Sequence, residues 1–307
     1  MAGSALANTY TRSDNVVGDG FFDFFSWENI ADPTTGRVVY LDQATAKTDN
    51  LSYTKGNSFV IAADSTTTLS ASGPGRNSIR IKSNKTYKTH VVIFDVAHMP
   101  EGCGTWPALW ETNESTWPNG GEIDIVEGVN NKGPNQSTIH AGPNCAIPAS
   151  GGPQILGTIA TTDCNSNDNG NAGCGITYNY DPNSIFSGFN SVGGGFYAME
   201  RTDTQINVWF WERSASGIPA GVSSPGDSID TSNWGTPAAA FPSTSCDFSS
   251  FTDHNIIANI DFCGAWAGSA DVYSASGCPS TCVDYVNNNP SAFTNAFFEF
   301  NAINVYQ

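Results

Sequence analysis

Gly120-Gly121-Glu122-Ile123-Asp124-Ile125-Val126-Glu127-Gly128 sets three acids among aliphatic residues that suit a strand. Residues two apart on a strand share a face, so Glu122 and Asp124 point the same way. Glu127 lies five positions beyond Glu122, and strict alternation would turn it to the other side. One extra residue, a β-bulge, returns it to the first face. The stretch therefore predicts a bulge near Ile125-Val126. Ile123, Ile125 and Val126 would pack inward, and three carboxyls would stand in a row facing solvent.

Three like charges in line are unfavourable unless some of them share protons. An acidic edge strand that merely resists aggregation is the plain explanation. Retaining glycosidases supply a chemical one, a carboxylate nucleophile and a carboxylic acid roughly 5–5.5 Å apart. Cα atoms four steps apart on a flat strand are about 13 Å apart, so that chemistry predicts a concave sheet on which the two side chains lean together. The surroundings favour it. Gly102-Cys103-Gly104-Thr105-Trp106-Pro107-Ala108-Leu109-Trp110 precedes the acids, and Trp117-Pro118-Asn119 leads into them. Indole rings beside acids suit stacking on the apolar faces of sugars. Buried packing is the ordinary role of a lone Trp. Trp106 fits either role, whereas Trp110 and Trp117 fit the site better.

Composition bounds the rest. The chain has 307 residues, 39% hydrophobic and only 13% charged, with 12 basic and 29 acidic side chains for a net charge of −17. Such a chain repels nucleic acid and anionic membrane, whereas a neutral polymer is indifferent to the charge. No apolar run approaches the ~18 residues of a membrane span. Met1 to Asn15 lacks the charged and apolar regions of a leader, which suggests a mature secreted form. The eight cysteines, at 103, 145, 164, 174, 246, 263, 278 and 282, contain no Cys-x-x-Cys pair and no zinc-type spacing with the four histidines. Disulfides follow, although eight cysteines allow 105 pairings. Sequons at Asn50, Asn84, Asn113 and Asn135 agree with a secretory route.

Short β-type runs recur between Gly, Pro, Asn and Asp clusters. Phe59-Val60-Ile61, Val91-Val92-Ile93-Phe94 and Ile256 to Ile260 read as strands. Ser78 to Lys82 and Gln205 to Phe210 alternate like half-exposed ones, and the chain ends on Phe298-Glu299-Phe300 and Ile303 to Tyr306. Many short strands predict an all-β sandwich or jelly roll. Pro143 to Asn183, rich in Gly, Asn, Pro and Cys, reads as a long surface excursion pinned by Cys145, Cys164 and Cys174. With no internal repeat or linker, residues 1–307 read as one domain. Gly73-Pro74-Gly75 lacks the third glycine of a dinucleotide loop. Asn165 to Gly170 faintly resembles a calcium loop, but Ile176 stands where its glutamate would.

With these segments in view, the whole chain resembles glycoside hydrolase family 16, in particular its fungal laminarinase-like endo-1,3(4)-β-glucanases. Glu122-Ile123-Asp124-Ile125-Val126-Glu127 matches the family's bulged Glu-x-Asp-x-x-Glu signature. The two Trp-bearing runs, Gly73 to Ser78, Asn233-Trp234-Gly235 and Cys282 to Val286 are similar to the fungal subgroup. The resemblance implies a β-jelly-roll sandwich of two antiparallel sheets with a concave substrate cleft. It implies Glu122 as nucleophile, Glu127 as general acid/base, and Asp124 between them, hydrogen-bonded to the nucleophile. His140, Trp110 and Trp117 would line the site, as would Arg80 and Trp266, while Trp211 and Trp234 would be structural. The expected reaction is double-displacement hydrolysis of β-1,3 or mixed β-1,3/1,4 glucan, with the Glu127 pKa raised by neighbouring negative charge. The alternatives are a glucan-recognition protein, which often lacks these acids, and a cell-wall transglycosylase, which in plants usually shows the unbulged spacing. The expected partner is a β-glucan polysaccharide, with no nucleic acid and no membrane, and the chain is expected to act as a secreted, extracellular monomer. No cofactor is expected. Some family members hold a structural calcium, but nothing in the sequence locates one.

Overall fold

A computed structural model describes residues 9–307, so the reading of Met1 to Asn15 falls partly outside the described residues. Two large antiparallel sheets face each other. The eight-stranded sheet runs, in spatial order, Thr158–Ile159, Cys174–Thr177, Lys132–His140, Glu122–Val129, Thr105–Thr112, Asn255–Phe262, Arg80–Ser83 and Phe25–Trp27. The second sheet has nine strands, with Phe297–Tyr306, His90–His98 and Gly195–Arg201 at its centre. The jelly-roll expectation is met. The longest described helix, Cys282–Asn288, has seven residues, and no helix among the described residues is long and apolar enough to cross a membrane.

The apolar runs show why the sheets stack. Val92, Phe94 and Val96 join the core between the sheets, alongside Ile123, Ile125 and Val126. Val91 and Ile93 point the other way into a second cluster with Tyr10, Trp209 and Trp234. That strand is covered on both sides, so it reads as a continuous apolar run rather than an alternating one. Trp234 is thus structural, and Trp211 packs edge-on against it at 5.8 Å.

Two expectations needed correction. Ser78 to Lys82 is not one half-exposed strand. It splits into Arg76–Ser78 and Arg80–Ser83, and Arg80 is buried because Glu28 and Glu114 pair with its guanidinium. The Pro143 to Asn183 stretch is not only a surface excursion, since its strands Thr158–Ile159 and Cys174–Thr177 extend the eight-stranded sheet beyond Lys132–His140. The Cys164–Cys174 and Cys145–Cys246 bridges hold it there, and Cys103–Cys278 and Cys263–Cys282 complete the set.

Behind the acids the core is charged. Glu111 follows Trp110 on the same strand and so faces inward, where it is completely buried. Its carboxylate lies 3.1 Å from His90 Nε2, 3.3 Å from His254 Nδ1 and 3.3 Å from Arg201 Nη1. Burial alone would raise its pKa, but His90 and His254 pull it well below the usual carboxylate range. His254 Nε2–H donates to the Gly120 carbonyl at 2.8 Å, and Arg201 donates to the Thr252 carbonyl at 2.7 Å. The turn that launches the acidic strand is thereby fastened to the opposite sheet. Glu111→Gln should lower the unfolding free energy by about 3–5 kcal/mol, because it leaves the buried Arg201 without its counter-charge. Urea unfolding monitored by tryptophan fluorescence checks this, and a loss under about 1 kcal/mol would contradict it.

Candidate active site

The bulge lies where the sequence places it. Between Asp124 and Glu127 the strand advances three residues while its partner advances two, from Thr138 to Gln136. On the other side, Asp124 pairs with Trp110 and Val126 with Leu109, so Ile125 is the extra residue. Ile123, Ile125 and Val126 are fully buried, and the three acids share the outer face.

Side chains close the hydrogen bonds that the bulge opens. The Ile125 carbonyl accepts from Ser137 Oγ at 2.8 Å and from Asn135 Nδ2 at 3.3 Å, while Asn135 Oδ1 accepts from the Glu127 backbone N–H at 3.0 Å. Asn135 is completely buried, so the sequon there marks a brace for the bulge, not a glycosylation site. Asn50 and Asn84 are exposed and Asn113 is half-buried. Gly121, at φ +85°, must be glycine, since a Cβ there would come within 2.3 Å of the Phe251 ring.

The acids do not stand in open solvent as the alternation suggested. Asp124 is only 3% exposed, and Glu122 and Glu127 are half-buried because aromatic side chains wall them in. Trp106 Nε1–H donates to Glu127 Oε1 at 2.8 Å, and the Trp117 indole lies beside Glu122, where it opposes the rise in that group's pKa. Burial is the main reason that both glutamates are pushed up to about 7. For Glu127 the charge of Glu122 adds to this, while His140 and the Trp106 N–H oppose it. Neighbouring charge was the expected cause, so burial takes its place as the larger one. Asp124 is raised well above the usual carboxylate range, by burial and then by Glu127 and Glu122. Its Oδ2 makes no hydrogen bond, to Glu122 or to any other group.

His140 pairs with Glu122 across the strands. Its Nε2 lies 3.5 Å from Asp124 Oδ2 and 3.9 Å from Glu122 Oε1. Burial pushes its pKa down, against the pull of Glu127. Trp110 lies on the same face, with its Nε1–H on Asn259 Oδ1 at 2.7 Å and the Arg80 guanidinium 4.9 Å from its ring centroid. Arg80 is itself 4% exposed, which makes it a support for Trp110 more than an open contact. Trp117 is exposed. Trp266 meets Trp106 edge-on at 5.6 Å. All the residues singled out in the sequence thus gather around one face.

Sequence reasoning left Trp106 undecided, although it sits four residues from Trp110 on the same strand and so on the same face. It missed Asn135, Asn259 and Asn171, whose Oδ1 pairs with His140 Nδ1 at 2.9 Å. Nothing local distinguishes these from other loop or strand asparagines.

Known proteins are similar to this chain in sequence and fold. The family described as XgeA-like, catalytic GH16 domain matches residues 24–306. A probable endo-1,3(4)-β-glucanase of Neosartorya fischeri is 39% identical over 98% of the chain, which spans only 46% of that relative's length. The solved structure of laminarinase 16A from Phanerochaete chrysosporium, with 6-O-glucosyl-laminaritriose in its donor and acceptor sites, is 55% identical with a TM-score of 0.96. The match covers 98% of this chain and 100% of that one. An elongating family 16 β-1,3-glucosyltransferase is 38% identical with a TM-score of 0.89, over 97% of this chain and 100% of its own. On sequence, fold and the bulged acidic strand together, the chain belongs to glycoside hydrolase family 16.

Proposed function

We propose that the chain is a retaining endo-β-glucanase that hydrolyses β-1,3-glucan and mixed-linkage β-1,3/1,4-glucan within one catalytic domain. The observation that carries this reading is the bulged strand, which sets Glu122 and Glu127 on one walled face with pKa values raised to about 7. Two such carboxyls can share one proton, the condition for an acid and a nucleophile to coexist near neutrality. The laminarinase and glucanase relatives support the substrate class. A neutral glucan is also compatible with a net charge of −17.

In the first step the Glu127 proton moves to the glycosidic oxygen as its bond to the anomeric carbon breaks. A Glu122 carboxylate oxygen bonds that carbon from the other side, giving a covalent glycosyl ester. In the second step a water oxygen attacks the same carbon, its proton passes to the Glu127 carboxylate, and Glu122 leaves as carboxylate. Asp124 lies between the two glutamates, and burial together with their charge holds its pKa well above the usual range. Trp110 and Trp117 offer faces for sugar rings, with Arg80 and Asn259 fixing the first of them. Trp266 backs Trp106, which holds Glu127. The four disulfides support folding in an oxidising, extracellular route, and the chain acts as a monomer on polymer.

Product analysis on laminarin and on barley mixed-linkage glucan tests this. Short oligosaccharides released with the β configuration at the new reducing end are expected. Binding without cleavage would establish a recognition protein instead. Products longer than the starting chains would favour the transferase reading that the elongating relative supports.

A further inference from the structure

We propose that Glu122, Asp124 and His140 form an inhibitory site for a divalent transition-metal ion, zinc or copper rather than calcium or magnesium. Glu122 and His140 are direct cross-strand partners, and Asp124 is two residues further along the same face. One ligand atom from each lies within 4.8 Å of the other two. His140 Nε2 is 3.5 Å from Asp124 Oδ2 and 3.9 Å from Glu122 Oε1. A tetrahedral ion with bonds of about 2.0–2.1 Å holds its ligands ~3.3 Å apart, so small side-chain rotations close the set around an ion.

Two further features point to a cation at this spot. Asn171 Oδ1 faces His140 Nδ1 at 2.9 Å. A side-chain carbonyl only accepts, so Nδ1 carries the proton and the Nε2 lone pair is turned toward the two acids. A histidine held by its other nitrogen is the usual outer arrangement of a metal-binding imidazole. Asp124 Oδ2, in a residue 3% exposed, has no hydrogen-bond donor. A buried oxygen without a donor is unfavourable, and here it faces a nitrogen lone pair. An ion between them would satisfy both.

The donor set selects the metal. One imidazole nitrogen with two carboxylate oxygens suits zinc and copper. Calcium takes six to eight oxygens, and magnesium keeps an octahedral oxygen shell. The fourth position would open toward the half-buried side of Glu122, where water can reach it. An ion there would occupy the proposed nucleophile and compete with glucan. Only this last consequence rests on the glucanase reading, since binding of the ion does not.

Calorimetric titration of zinc chloride into the protein at pH 7 tests the site. One ion per chain is expected. His140→Ala should weaken binding at least a hundredfold. Asn171→Ala, on an exposed loop where folding is not at stake, should weaken it about tenfold. In wild type, zinc should inhibit laminarin hydrolysis competitively, and a chelator should reverse it. Absence of binding up to millimolar zinc would overturn the proposal, as would equal affinity in all three proteins. An enzyme that cleaves laminarin normally but ignores zinc would refute the metal site and leave the glucanase reading intact.

Discussion

Glu122→Ala is expected to lower laminarin hydrolysis by about 10⁴-fold or more, the scale of loss when a covalent nucleophile is removed and only binding and proton transfer remain. The fold should survive, because the half-buried Glu122 side chain lies on the strand face away from the buried Ile123, Ile125 and Val126. Its pKa is raised by burial, so removing it takes away an unfavourable buried charge. The deletion leaves a small space beside the anomeric carbon. Azide should therefore restore turnover on an activated aryl β-glucoside and yield a product of inverted, α configuration. Chromatography and proton NMR of the products check both statements. A variant within tenfold of wild type, or an azide product that keeps the β configuration, would remove Glu122 from the nucleophile's role.

Glu127→Gln keeps the shape of the side chain and loses its proton. Cleavage of natural glucan should fall by roughly 10³-fold, within the usual range for a lost general acid–base. An aryl glucoside whose leaving group needs no proton should still form the covalent intermediate. Its release should then be slow, because no base activates the water, and a burst of phenol followed by a slow phase is the expected trace. A burst absent on such a substrate would sink the assignment. The pH profile follows from the same group. In wild type kcat/KM should fall as pH rises past about 7, where the raised carboxyl loses its proton.

In the Glu127→Gln variant stability should move the opposite way to activity. The folded-state pKa of Glu127 is raised from about 4.5 to about 7, so between those values the folded protein binds more protons than the unfolded chain. Stability then declines as pH rises through this window and stays reduced above it. Glutamine carries no charge and escapes the decline. At pH 8 the variant should be more stable than wild type by on the order of 2 kcal/mol, and the difference should vanish near pH 4. Thermal melts at the two pH values measure it. A gain in stability with loss of activity is what a carboxyl held in an unfavourable environment for chemistry should show.

The sequence by itself determined the strand, its bulge and the shared face of the three acids. These follow from the two-residue period of a strand and the five-residue spacing of Glu122 and Glu127. It also determined the all-β architecture, from short apolar runs between turn residues, and the presence of bridges, from an even set of cysteines. Tertiary structure alone decided how deeply the acids lie. Burial depends on what covers a face, and Trp106 and Trp117 reach Glu127 and Glu122 from a neighbouring strand and a turn. It alone chose among the cysteine pairings, since Cys103 and Cys278 are 175 residues apart and meet only when the chain has folded. It alone turned Asn135 from an apparent sequon into the brace of the bulge, and Asn171 into the partner of His140. A side-chain amide has no period and no signature of its own, so its role is set by which backbone or side-chain group the fold brings within about 3 Å of it.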